Sequence, residues 1–256
     1  MNPLRTRLAA AALGAGLVIA APAAAWAGPR RPVSTIPTSA SENPTDASRL
    51  GIEDLRARCL AAIDVRLPAL AAARTAVSGN EHVTAEHQAA LVADLDQTAA
   101  RLRDLATLIK ADTDRAVLKD HCRSIFEDNR VFALVLPRVR LVVGSDVATD
   151  AGATLRDVAA KLADAIAKAE AAGQDVRQAK LDLDMMKAHI ASGVASAGSV
   201  PGAVLGLTPA DWNANHAVLT PARESLRSAR ADLKVARDLA LKIRNELKPP
   251  APAPAT

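Results

Sequence analysis

Tyrosine is absent from the 256-residue chain, and two Phe and two Trp are its only Phe, Tyr or Trp residues. That scarcity excludes a nucleic-acid surface built on stacked aromatic platforms. It also argues against a β-sandwich, whose core leans on β-branched and aromatic side chains. Cysteine occurs twice, at Cys59 and Cys122, too rarely for a disulfide-dense scaffold or a four-ligand thiolate metal site. The apolar run from Leu8 to Ala21 is about 14 residues, short of the ~20 that span a bilayer, and no later segment stays apolar long enough.

Recognisable chemistry is scarce as well. The glycines of 198–206 lack the Lys-Ser/Thr that completes a phosphate loop. Ser196 has Val194 where a nucleophile elbow needs glycine. His121 and Cys122 are adjacent, which points them about 100° apart on a helix and rules out a nucleophile–base pair. The five histidines are dispersed. His82 and Glu86, flanked by Glu81 and His87, share one helix face with a single imidazole and a single carboxylate, fewer ligands than a metal site uses. These absences point to a protein that is not an enzyme and that carries no cofactor and no metal.

What is present begins with an export signal. Arg5 and Arg7 precede the apolar run, and Ala25-Trp26-Ala27 supplies an A-x-A cleavage pattern. The reading is a signal peptide at 1–27, no transmembrane anchor, and a mature chain secreted, extracellular or associated with the cell wall. Without the two signal arginines, 30 basic side chains face 28 acidic ones, so global charge demands no anionic partner. Residues 28–48 hold four prolines among Ser and Thr and read as a disordered leader. Residues 248–256 read as a Pro/Ala-rich tail.

Residues 49–247 carry a helical period throughout. Leu91, Leu95, Thr98, Leu102, Leu105 and Ile109 alternate spacings of four and three, as do Leu118, Cys122, Ile125, Asn129, Phe132 and Leu136. Similar seams run through Leu155 to Ala169, Val176 to Ile190, and Leu226 to Leu247. The fold class is all-α: an elongated antiparallel bundle or coiled coil. Ser78-Gly79-Asn80 and Gly173 end helices, Asp112 or Thr113 caps the third, and Thr208-Pro209 or Thr220-Pro221 opens the last. Pro68 and Pro137 should kink helices they interrupt. Whether helix three passes through Gly144 and Gly152 is open; if it does, sub-bundles at about 49–143 and 144–247 share a long kinked third helix.

An up-down-up order makes the first and third helices parallel. At ~1.5 Å per residue, Cys59 lies roughly 28 Å below the end of the first helix and Cys122 roughly 25 Å below it. Matching heights in an exported chain predict a Cys59–Cys122 disulfide, with two buried free thiols as the alternative. Asn129 is either a polar residue that sets the register of its seam or a solvent-facing one at a kink before Pro137. The stretch 108–146, with "ADTD", "SIFEDNRVF" and Pro137, resembles exported Ala-rich helical-bundle proteins of high-GC bacteria that have no assigned activity. The resemblance implies a helical fold and an extracytoplasmic location, and supplies no functional residues.

Two features stand out as candidate binding surfaces. Arg223, Arg227, Arg230, Lys234, Arg237 and Arg244 form a cationic stripe along one side of the last helix, with Asp238–Lys242 as one neutralising pair. The stripe either holds an anionic wall polymer or other anionic surface, or is a solvated flank paired with acids of a neighbouring helix. The segment 192–209 is Gly-rich and reads as a loop, with Val200, Val204, Leu205 and Leu207 as a candidate apolar contact. It either docks a partner or folds back beside Trp212 to plug the bundle. The functional expectation is a structural or adhesive binding module at the cell envelope, its partner an anionic wall polymer or an envelope protein and not nucleic acid. The alternative is a carrier or chaperone-like protein whose Met185, Met186 and 192–209 loop line a groove for an apolar ligand.

Overall fold

A computed structural model describes residues 51–248. The signal, the leader and the tail from residue 249 onward lie outside the described residues. Seven α-helices occur among the described residues: α1 (Ile52–Ser78), α2 (Ala85–Ala111), α3 (Arg115–Glu127), α4 (Leu136–Ala171), α5 (Arg177–Val204), α6 (Pro209–Ala214) and α7 (Thr220–Glu246), with a π-helical turn at Val131–Val135. No strand occurs among the described residues. The helices pack on one another as an all-α bundle within a single compact unit.

Local chemistry sets most helix ends. The Thr84 hydroxyl accepts from His87 N–H and starts α2. Asp114, one position past the expected Thr113, accepts from the N–H groups of Ala116 and Val117 and starts α3. Thr208 and Asp211 form a reciprocal capping box on α6. Thr220, by contrast, does not cap: Leu219 occupies that position, and Pro221 sits in the first turn of α7. At the other end of α4, Gly173 adopts φ +83°, the left-handed conformation that glycine takes without penalty. Arg56 of α1 donates from Nε to Ile109 O at 3.1 Å and reaches Asp112 O, meeting carbonyls that the end of α2 leaves without partners.

The seams face inward. All six seam residues of α2 are buried, as are Val176, Ala179, Leu183, Met186 and Ile190 on the α5 side and Leu226, Ala229, Leu233, Ala236, Ala240 and Ile243 of α7. α1, α2 and α3 pack together, and α4, α5 and α7 pack together. The Sγ atoms of Cys59 in α1 and Cys122 in α3 lie 1.97 Å apart, at disulfide bonding distance, with Cα atoms 5.5 Å apart. Glycines set the close approaches in the second group: a Cβ on Gly152 of α4 would lie 2.2 Å from Val194 Cγ2 of α5.

Neither Gly144 nor Gly152 interrupts the third helix. The break falls earlier, at 128–130, where Arg130 takes φ +39°, ψ +38°. Beyond it the ladder widens to i→i+5 bonds, Val135 N–H to Arg130 O and Leu136 N–H to Val131 O. Pro137, which has no N–H to offer a ladder, then sits in the first turn of α4 rather than kinking a longer helix. Asn129 is neither a seam residue nor solvent-facing. It is 3% exposed, and its amide donates to Ser124 O at the end of α3 at 3.0 Å. Phe132 likewise leaves the expected seam; it and Phe126 are about half exposed, with the Arg66 guanidinium carbon 5.3 and 4.5 Å from their rings.

α4 runs through residue 143 and serves both groups of helices. Asp146 accepts from the Thr84 N–H and lies 2.9 Å from His87 Nδ1, while Asp150 lies 2.9 Å from His82 Nδ1. Ser145, on another side of the same helix, donates to Ala197 O of α5 at 2.7 Å. In the first turn of α4, the buried Arg138 guanidinium pairs with Asp94 of α2 and donates to Leu207 O beyond α5.

Two outcomes test this packing. Replacing Cys59 and Cys122 by Ser should lower unfolding free energy by about 4 kcal/mol, the loop-entropy value for 63 residues. Denaturant titration measures it, and an unchanged midpoint would show that the bridge restrains nothing. Gly152→Ala should destabilise by about 1–3 kcal/mol through overpacking, and in a Val194→Ala background the loss should vanish, because the methyl it strikes is gone.

Candidate anion-binding face

The sequence of α7 places Leu226, Ala229, Leu233, Ala236, Ala240 and Ile243 in the core. That choice of face fixes where the remaining positions point. Arg223, Arg227, Arg230, Lys234, Arg237 and Arg244 are all exposed, and their spacings put them on one flank of the helix. The flank adjoins α4, since a Cβ on Gly144 would lie 2.9 Å from both Arg230 Nη2 and Leu226 Cδ2. Gly144 is therefore the recess over which the Arg230 guanidinium lies.

The acids nearby divide unevenly among these cations. Lys234 Nζ lies 2.9 Å from Asp238, and Arg237 Nη2 lies 3.3 Å from it. Those contacts, the Lys234 hydrogen bond foremost, hold the Asp238 carboxyl below its ordinary range. The expected Asp238–Lys242 pair does not form. Lys242 instead reaches Asp182 of α5 at 2.7 Å, a carboxylate wholly buried, and that bond raises the Lys242 pKa. Arg223, Arg227, Arg230 and Arg244 make no ion pair with any described residue. Pairing with neighbouring-helix acids, which would have made the stripe a balanced flank, is thus absent for all six members, and four of them have no ion pair at all among the described residues.

Arg140 belongs with this group and was not visible in the sequence. It is exposed, has no ion pair among the described residues, and lies one turn before Gly144 on the same side of α4. Its placement depends on the register of α4 against α7, which no single-helix period contains.

The apolar segment is mostly helix where a loop was expected, and it packs at the end of the bundle. α5 continues through Pro201 to Val204, so most of 192–209 is helix rather than loop. Val200 and Val204 are wholly buried, and Leu205 and Leu207 are half-buried against the core beside Trp212. These four residues pack into the end of the bundle, with only Leu205 and Leu207 keeping part of their surface exposed. The Met-lined groove goes with them: Met186 is core at 0% exposure, whereas Met185 is 47% exposed.

Four histidines pair with aspartates through Nδ1. Besides His82 and His87, His121 lies 2.9 Å from Asp112 and His189 of α5 lies 2.9 Å from Asp232 of α7. Ser192 Oγ also donates to Asp232, at 2.7 Å. A serine, a histidine and an aspartate thus meet, yet the hydroxyl donates to the carboxylate and not to the imidazole, so the order of a Ser–His–Asp triad is not formed. No group of three or more His, Cys, Asp or Glu that could hold a metal ion occurs among the described residues. No helix of the described residues is long and apolar enough to cross a membrane. Comparison of the chain with protein-family models, curated proteins and solved structures finds no match.

The hydrogen bonds from His189 and then Ser192 hold the Asp232 carboxyl below its ordinary range. A carboxylate stabilised this way supports the fold above the unfolded-state value of about 4 and loses that support as acid protonates it. Asp232→Asn should therefore be less stable than the parent at pH 5, and the gap should narrow below about pH 4. Thermal midpoints across that range measure it; a gap that stays constant to pH 3 would refute the contribution.

Proposed function

We propose that this protein is a non-enzymatic, exported helical module that holds an anionic polymer of the cell envelope along α7. The observation that carries the reading is the set of exposed, co-facial arginines, Arg223, Arg227, Arg230 and Arg244, that no described acid neutralises. Guanidinium forks bind phosphate and carboxylate in bidentate fashion and keep their charge at any physiological pH. Arg223 and Arg230 are seven residues apart, about 10 Å along the axis, so an extended polyanion meets several of them in turn. Fixing such a stripe on a packed helix spares the ordering cost that a flexible basic tail incurs on binding. The export signal read at 1–27 supports an envelope location, as does the likeness of 108–146 to exported helical proteins.

Co-sedimentation of the mature protein with purified cell-wall sacculi tests the reading, with their anionic polymers kept or stripped and at low and high salt. The protein should pellet with intact sacculi at low salt and stay in solution once the polymers are stripped or salt is raised. Arg227→Glu with Arg230→Glu should weaken binding about tenfold or more, equivalent to ~1.4 kcal/mol. Retention that survives stripping would assign the partner to an envelope protein, and a protein soluble under every condition would overturn the proposal.

A further inference from the structure

A second surface lies between α4 and α5 and owes nothing to the arginine stripe. It is a groove of about 450 Å³, lined by Arg156, Ala159, Ala160 and Ala163 from α4 and Lys187, Ile190 and Ala191 from α5. Ala159 and Ile190 are buried at 3% and 1% exposure and form its floor. Alanine leaves a trough here because its methyl is too short to fill the space between the helices. The backbone polar groups below are engaged in their own helices, so water in the trough finds few partners. The volume falls within the ~300–1,000 Å³ of small-molecule sites.

The register of the two antiparallel helices places the cations. Ser145 donates to Ala197 O, and Gly152 abuts Val194, so positions on α4 and α5 that sum to about 344 lie side by side. Arg156 and Lys187 are therefore level with each other across the trough. Both are exposed, and neither makes an ion pair or hydrogen bond with a described residue. Asp157 and Asp184, the nearest acids in sequence, pair with neither. Like charges set side by side repel. Here two like charges flank an apolar floor, an arrangement that an anionic head group relieves and a neutral one does not.

The geometry points to a binding site for a long-chain fatty acid, its alkyl chain along Ala159 and Ala163 and its carboxylate between Arg156 and Lys187. Charge and apolar floor are both required, which separates this ligand from a soluble anion and from a neutral lipid.

The test is displacement of a fluorescent fatty acid from the mature protein by dodecanoate, below its micelle concentration, with dodecanol and acetate as competitors. Dodecanoate should displace the probe, and dodecanol and acetate should do so at least about tenfold less well. Arg156→Glu with Lys187→Glu, both at exposed positions, should weaken probe binding about tenfold or more, and Arg156→Lys with Lys187→Arg should restore most of it. Lys119→Glu on α3 reports any effect of overall charge. Failure of the probe to bind, equal competition by dodecanol, or equal losses from Lys119→Glu and the groove pair would each overturn the site. So would a dimer in sedimentation equilibrium that the groove variants dissociate, since a second copy would then be the occupant. None of these outcomes bears on the arginines of α7.

Discussion

The buried guanidinium of Arg138 is the point on which the arrangement of helices turns. A charge removed from water is costly unless every donor finds a partner, and Arg138 finds them in two places, the Asp94 carboxylate on α2 and the Leu207 carbonyl beyond α5. Each partner comes from a different group of helices. Moving one group against the other would leave the charge uncompensated, so the pairing fixes their relative placement far more sharply than apolar contact does. α4 carries the rest of that duty with a division of sides: Asp146 and Asp150 meet the α1–α2 connection, while Gly144 and Gly152 admit α7 and α5.

Much of this was legible in the sequence wherever one helix carries the whole signal. The a/d spacings named the core of α2, α5 and α7, and helix arithmetic matched the heights of Cys59 and Cys122. Legibility failed where tertiary contact overrides local preference. Gly144 and Gly152 look like breakers, yet each is where a neighbouring side chain needs the room, and the helix tolerates them for that reason. Gly193, Gly198, Pro201 and Gly202 suggested a loop, but α5 continues through them, with Gly193 set against Leu233 and Ala229 of α7. The break at 128–130 had no glycine to announce it. Buried Arg138, Asp146 and Asp182 were hidden because a charged residue in a sequence reads as surface.

The arginine stripe was visible as a period, but its chemical availability was not. Availability depends on where the acids go, and here six of them are engaged elsewhere. Asp112, Asp146, Asp150 and Asp232 each face a histidine, Asp94 faces Arg138, and Asp182 faces Lys242. Nearly equal numbers of positive and negative residues thus resolve into a set of pairs between helices and a flank of α7 left positive. Net charge alone conceals this, because it averages the two.

The covalent link between α1 and α3 also has a mechanical side. Tension applied across the folded chain passes directly from Cys59 to Cys122, and the residues between them carry none of it. Those two positions are 63 apart, a stretch that would otherwise yield on the order of 200 Å when drawn out. α2 is consequently shielded from a load that α4, α5 and α7 must bear by packing alone. While the bridge holds, a pull on this protein cannot draw out the residues between its two cysteines.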